Sequence, residues 1–307
     1  MKILIAGGTG LIGRRLIDRL QQDGHSVVLL SRHPKKHDTA FPDHTRLVEW
    51  DGKSAGAWTS EMDTIDAVIN LAGENIGQGR WTAARKKHLL DSRLDSTRAI
   101  VKAIEHASKK PEVLLNASAV GVYGNVPEGA CSEDHAPGKD FLAHICVEWE
   151  KAALEAEQFG VRVALPRTGI VLDTGGGALA KLLLPFKLFA GGPLGSGKQW
   201  FPWVHLEDEV GAIIHAMNTK TLRGPFNVAA PEVVRMKEFT RVLGTVMHRP
   251  SWAPVPGFVL KIILGEMAGP LLLSGQQAVP EKLLQSGYAF SFPRLRDALE
   301  HLLRKYL

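Results

Sequence analysis

Cysteine is close to absent from this chain. There are two, Cys131 and Cys146, and they form neither a metal-binding nor a redox spacing. Tyrosine is nearly as scarce, at three: Tyr123, Tyr288 and Tyr306. No internal repeat, low-complexity tract or heptad run is present. A dominant charge of one sign is also missing. The net charge is +5 and the basic residues are scattered, which argues against a nucleic-acid partner. Long apolar runs are lacking too. The most apolar late segment, GFVLKIILGEMAGPLLLSG, is interrupted by Lys261, Glu266 and Pro270, so no spanning helix or membrane partner is expected. The first residues read directly as a strand, without a signal peptide, and a cytoplasmic location is expected. What remains is ordinary globular composition, 45% hydrophobic and 22% charged.

The opening, MKILIAGGTGLIGRRL, reads as strand, turn and helix. Ile3 to Ala6 suit a buried parallel strand. Ile12, Leu16 and Leu20 then recur at helical spacing, with Arg14, Arg15, Asp18 and Arg19 on other faces. Between them stand Gly7, Gly10 and Gly13. Gly7 permits a tight turn, Gly10 lets backbone approach a pyrophosphate, and Gly13 lets helix and strand lie close. The helix N-terminus offers free N–H groups and partial positive charge to phosphates. In this strand-to-helix context the pattern points to a dinucleotide, with Gly7, Thr9, Gly10, Leu11, Ile12 and Gly13 as its first contacts.

The second strand bears on which dinucleotide. In HSVVLLSRHPKK it ends at Ser31 and Arg32, with Lys35 and Lys36 behind. An acidic residue here would hold the adenosine ribose hydroxyls. A carboxylate repels a 2′-phosphate, whereas a guanidinium grips one with paired hydrogen bonds. Ser31 and Arg32 therefore favour NADP(H) over NAD, the alternative being a solvated basic loop.

Strands and helices alternate onward. TRLVEW, DAVINLAG, PEVLLNASAV and VRVALPRTGIVL read as the third to sixth strands; KKHLLDSRLDSTRAIVKAIEHA and EWEKAALEAEQFG read as helices. This order predicts an α/β fold, a Rossmann-type doubly wound parallel sheet with ligands at the carboxyl ends of its strands. After Asp173 glycine loops and aromatics take over, and from about Pro250 the pattern is mostly helical. We expect a dinucleotide-binding domain over 1–173 and a smaller, mostly helical substrate lobe over 174–307, with segments of the latter returning to the former.

By these features the chain resembles the extended short-chain dehydrogenase/reductase superfamily (NAD-dependent epimerase/dehydratase). The matches are GGTGLIG at 7–13, NLAG at 70–73, SAVGVYG at 118–124, VHLEDEVGAI at 204–213 and FNVAAP at 226–231. RWTAARKKHLLDSRLDST, DFLAHICVEWE and GGPLGSGKQWFPWVH look more closely like its atypical "epimerase family" branch, with a family-specific segment over about 250–300. The resemblance implies cofactor contacts from Leu71, Ala72 and Gly73, and from Pro166 and Arg167 at the nicotinamide end. Arg93, on the long helix, reaches back to the loops after the fourth and fifth strands as a further cofactor contact, the alternative being a surface ion pair. The resemblance also implies a Y-x-x-x-K dyad, and the chain has none. Aligned on Glu150, Leu142 stands at the tyrosine position and Cys146 at the lysine position. Neither does that proton chemistry at neutral pH without a large pKa change.

Three other groups are candidates for catalysis. Ser118, just past the fifth strand, occupies the place of a substrate-binding hydroxyl, in competition with Ala119. Otherwise it is a turn serine. Tyr123 follows in a loop, as cleft lining or as packing. Glu74 follows the fourth strand as base, anchor or cap. Asp208 reads as a helix cap. The expected function is a reductase or epimerase working by hydride transfer on a small polar substrate, sugar-nucleotide-like or carbonyl, without a metal, as monomer or homodimer. The alternative is a non-catalytic NADP(H)-binding sensor.

Overall fold

The computed structural model describes residues 1–36, 40–41 and 45–304. In chain order the first half runs β1 (Lys2–Ala6), α1 (Leu11–Gln22), β2 (Ser26–Ser31), β3 (Thr45–Glu49), β4 (Ala67–Asn70), α2 (Ala83–His106), β5 (Val113–Asn116), β6 (Ser118–Ala119), β7 (Ala130–Cys131) and α3 (Phe141–Leu154). The second half runs β8 (Arg162–Thr168), β9 (Ile170–Leu172), α4 (Gly177–Lys187), β10 (Trp200–Phe201), β11 (Trp203–His205), α5 (Leu206–Asn218), β12 (Gly224–Val228), β13 (Val234–Arg235) and α6 (Met236–Val246). It ends with α7 (Gly257–Leu264), β14 (Gln277–Ala278), α8 (Glu281–Gln285) and α9 (Leu295–Leu303).

An eight-stranded parallel sheet forms the centre, ordered β12-β8-β5-β4-β1-β2-β3, with β6 beside β8. Both faces are covered, which is why the central strands β1, β4 and β5 are apolar almost throughout rather than at alternate positions. Ile3 and Ile5 of β1 pack with Leu16, Leu20, Val210 and Ile213 of α1 and α5. Leu4 and Ala6 point the other way, onto Ile100, Ile104 and Ala153 from α2 and α3. The chain leaves β1 toward β2 and β3, then crosses back to β4. That reversal opens a crevice at the carboxyl ends of β1 and β4. The expected Rossmann-type sheet and helical C-terminal part are therefore both present. In the latter, Leu295 and Leu299 of α9 share a core with Leu243 of α6 and Trp203.

Four local readings differ. The run at 161–172 is two strands, because Gly169 lies so close to the Pro202 carbonyl that no side chain fits, and β9 pairs with β11 outside the main sheet. The run at 111–120 also divides, and its second piece, β6, pairs with β8. The helix expected from Glu148 starts at Phe141, where the Asp140 carboxylate accepts from the Ala143 N–H at 2.9 Å. The seventh long strand, β12, lay within a segment read only as a motif. Among the described residues, no helix is long and apolar enough to cross a membrane, and no group of three or more His, Cys, Asp or Glu could hold a metal ion.

Candidate functional site

The crevice at the β1/β4 reversal is a cleft of about 500 Å3. Gly7, Thr9 and Gly10 border it, as do Ser31 and Arg32, the loop Leu71–Glu74, and one side of α2. Gly7 has φ +78°, and a Cβ there would come within 2.5 Å of the Leu71 carbonyl carbon, so turn and loop can touch only through glycine. A Cβ on Gly13 would strike the Gly8 backbone, which fits its role in helix-to-strand packing. Gly10 is different. A Cβ there would meet only the Gly7 carbonyl oxygen, at 3.4 Å. That space is left open, as a pyrophosphate running past the turn requires. Leu11 and Ile12 pack their side chains on the core beneath, leaving only first-turn N–H groups for a ligand.

The loop after β4 is held from below. The Asn70 side chain donates to Asn116 Oδ1 at 2.6 Å and accepts from the Ala72 N–H at 3.1 Å. Glu74 lies at its far end, with Arg85 Nη1 at 3.4 Å, Arg32 Nη1 at 3.6 Å and His88 Nε2 at 3.7 Å from its carboxylate. Arg32 is 66% exposed and free to turn toward a ligand at the end of β2. Trp50, Asp51, Gly52 and Lys53 complete this end of the cleft and escaped the sequence reading. The Asp51 carboxyl is held down to about 2 by hydrogen bonds from the Ser54 hydroxyl and from the Lys53 and Ser54 backbone. His88, Asp91, Ser92 and Asp95 of α2 line the cleft as well. Their spacing is that of one helix face, a signal the sequence contained.

Beyond Gly73 lies a second pocket of about 180 Å3. Arg93 stands between the two spaces. Its Cγ would be 3.2 Å from a Cβ on Gly73, it lines the second pocket, and its guanidinium sits 5.1 Å from the centroid of the Trp149 ring. It is no surface ion pair: burial lowers its pKa from the usual arginine value, and its Nη1 and Nη2 donate to the Leu89 and Glu74 carbonyls at 2.9 and 3.1 Å. Leu142 and Cys146 form part of the wall. Burial, then Glu150 nearby, pushes the Cys146 thiol up to about 12, which makes it inert near neutral pH.

Ser118 and Tyr123 do not line either space, a correction to the expectation that they face the reacting end. Strand alternation places Ala119, not Ser118, in the pocket wall. The Ser118 hydroxyl instead donates to Glu150 Oε1 at 2.6 Å. The same carboxylate takes two bonds from Arg167, Nε at 2.8 Å and Nη2 at 2.9 Å. Arg167 Nη1 donates to the Tyr123 hydroxyl and the Glu133 carbonyl, both at 3.0 Å, and Tyr123 donates to Asn227 Oδ1 at 2.7 Å. Burial pushes the Tyr123 phenol up to about 12, against the pull of Arg167. These side chains form a buried polar cluster that ties β6, α3, β8 and β12 together. Arg167 spends its donors there and Pro166 is buried in β8, so neither contacts the cleft. The part of this segment that reaches the pocket is Thr168, Gly169 and Ile170.

Sequence reasoning missed Glu209. Its carboxyl is 1% exposed and accepts from the Thr168 hydroxyl at 2.7 Å, while Oε2 has no hydrogen-bond partner among the described residues. Burial pushes it up to about 8. Asp208 caps nothing on its own helix. It accepts from the Ser291 and Phe292 N–H groups at 2.7 and 2.9 Å, and His205 Nδ1 caps α5 by accepting from Glu207 N–H at 3.0 Å.

Comparison with known proteins agrees with this geometry. The NAD dependent epimerase/dehydratase family matches residues 3–229, and a domain of unknown function, DUF1731, matches residues 255–302. The chain is 41% identical to the chloroplastic epimerase family protein SDR39U1 homolog of Arabidopsis thaliana, over 99% of this chain and 87% of that one. It is 40% identical to epimerase family protein YfhF of Bacillus subtilis, over 99% and 98% of the two chains. The crystal structure of human epimerase family protein SDR39U1 with NADPH superposes with a TM-score of 0.88 at 35% identity, covering 99% of each chain.

Proposed function

The chain belongs to the NAD dependent epimerase/dehydratase family, and on that premise we propose that it is an NADP(H)-dependent oxidoreductase that reduces a small carbonyl compound. The observation that carries the cofactor choice is Arg32, which lines the cleft at the end of β2, where a carboxylate would select NAD. The similar human protein was crystallised with NADPH, which supports the same choice. When bound, the nicotinamide supplies hydride chemistry. The chain's own part is to seat the pyrophosphate over Gly10 and the α1 N-terminus, to hold the 2′-phosphate with Arg32, and to direct the reacting end past Gly73. Ser118 and Tyr123 are committed to the buried cluster, and Glu74 stands 3.6 Å from Arg32 at the 2′-phosphate end, away from the reacting end where it was expected, so the proton for reduction comes from water. Calorimetric titration with NADP and NAD tests the cofactor assignment, and equal affinities overturn it.

A second reading is a protein that binds NADP(H) without turnover and reports cofactor state to a partner. Leu142 and Cys146, standing where relatives place tyrosine and lysine, favour it. NADPH absorbance followed across a carbonyl panel separates the two readings, since a sensor consumes no NADPH.

A further inference from the structure

We propose that the pocket beyond Gly73 takes a small, predominantly apolar carbonyl compound rather than a sugar nucleotide, with Arg93 as its cationic anchor. This rests on the NADP(H) reading above for the identity of the neighbouring cleft, and it concerns the substrate.

Size comes first. At about 180 Å3 the pocket falls below the roughly 300–1,000 Å3 of sites that enclose drug-sized ligands. Its walls are Leu142, Ile145, Trp200, Pro202, Met236 and Leu271. The side-chain donors around them are largely spent on the protein itself. Gln199 Nε2 donates to the Leu194 and Leu272 carbonyls at 2.9 and 2.7 Å, and Gln276 Nε2 to the Val120 carbonyl at 2.8 Å. Trp149 Nε1 donates to Thr97 and Trp200 Nε1 to the Pro127 carbonyl. Thr168 is bound to Glu209.

Among the lining residues Arg93 carries the one positive charge, and Ser274 adds a hydroxyl. Two of the five guanidinium donors of Arg93 are used on backbone carbonyls. A nucleoside diphosphate would bring two phosphates and several hydroxyls into this space. Each hydroxyl left unpaired against Leu, Met or Trp loses its bonds to water without replacement, and one partly committed guanidinium does not neutralise a diphosphate. An aromatic or branched aldehyde or ketone has no such debts. Its flat body fits between Trp200 and the aliphatic walls, and its oxygen is the one atom that asks for a donor. On reduction the carbonyl carbon gains a hydride from NADPH, the C=O π pair becomes the O–H bond, and water supplies the proton. Arg93 offsets the charge that develops on oxygen.

The test is a binding measurement on the full chain saturated with NADP. 2-Naphthaldehyde and UDP-glucose are titrated separately, read by quenching of tryptophan fluorescence and by saturation-transfer NMR. The aldehyde is expected to bind at least about tenfold more tightly than UDP-glucose. Leu271→Trp, which fills the pocket, is expected to weaken the aldehyde by about tenfold or more and leave NADP affinity within about twofold. Leu271→Ala, a gentler change for folding, weakens it several-fold by removing wall contact. Tighter binding of UDP-glucose overturns the proposal, as does aldehyde affinity indifferent to both variants. If NADP itself fails to bind, the cofactor reading falls, and the same two titrations on the protein alone still decide the chemistry of the pocket.

Discussion

The Thr168 hydroxyl donates to Glu209 across 2.7 Å, and the other oxygen of that carboxyl, although buried, has no partner among the described residues. Such a group is stable only as the neutral acid, which is why burial raises it to about 8. In the unfolded chain it ionises near 4.5. Between those values the folded state holds the extra proton. Its contribution is therefore complete below pH 4.5 and is lost as pH rises toward 8. Glu209→Gln keeps an acceptor for Thr168 and removes the titration. Relative to the parent, the variant is expected to be unchanged near pH 5 and more stable by about 1–3 kcal/mol at pH 8. Melting curves across that range check this, and a difference that does not vary with pH refutes it.

His205, four residues earlier, works in the opposite direction. Burial first, then His301 at 3.1 Å, lowers it from 6.5 to about 4, so the fold holds it neutral. The unfolded chain takes up its proton first. This contribution is complete above pH 6.5 and is lost as pH falls toward 4. His205→Asn keeps a side-chain acceptor for the Glu207 N–H. Between pH 7 and pH 5 the parent is expected to lose about 1–2 kcal/mol more than the variant, measured by urea unfolding. Parallel losses would show that His205 does not titrate in this window.

Cofactor choice is a matter of Arg32. Its exposed side chain reaches no closer than 3.6 Å to Glu74, a weak pair that a phosphate displaces readily. Arg32→Ala is expected to reduce the preference for NADP over NAD by about 1.5–3 kcal/mol, the scale of a charge-assisted hydrogen bond, with NAD affinity little changed. Equal weakening of both dinucleotides in a calorimeter would place Arg32 outside the 2′-phosphate site.

How much of this could be read from the sequence depends on the kind of residue. The glycine turn and the β2 end were readable because backbone sterics and charge there are local. Gly7 sits at φ +78°, a local backbone demand that glycine meets without strain. The sheet was readable because both faces of its centre are buried and the strands β1, β4 and β5 run apolar almost throughout, although β3 at the edge carries the exposed Arg46 and Glu49. Ser118, Tyr123 and Arg167 were not, because which way a strand residue faces depends on register, and the β6–β8 pairing is set by partners far away in sequence. Glu209 was hidden for a related reason. A glutamate in the first turn of a helix looks like a favourable dipole partner, and only the tertiary fold shows it sealed from water.

Gly10 separates binding from folding. Because a Cβ there meets only the Gly7 carbonyl oxygen, at ordinary contact distance, Gly10→Val is expected to fold, with a melting temperature within a few degrees of the parent. Its branched side chain fills the path of the pyrophosphate, so NADP binding is expected to fall below detection. Retained affinity would mean the opening turn serves packing alone.

The buried cluster makes the sharpest distinction between structure and catalysis. Ser118 touches Glu150, which Arg167 holds through two bonds, and none of the three lines the cleft or the pocket. A structural role predicts that Ser118→Ala costs about 1–3 kcal/mol, because one buried acceptor loses a donor, while NADP affinity stays within about twofold. Glu150→Gln should cost more, about 3–5 kcal/mol, since it strands the Arg167 charge away from water. Tyr123→Phe should fall near the serine variant, leaving Asn227 and Arg167 each short of one partner. Equilibrium unfolding gives the first quantity and calorimetry the second. If Ser118→Ala unfolds like the parent but abolishes NADPH consumption on a carbonyl substrate, the hydroxyl must swing out of the cluster to act, and the assignment of this cluster to the scaffold is wrong.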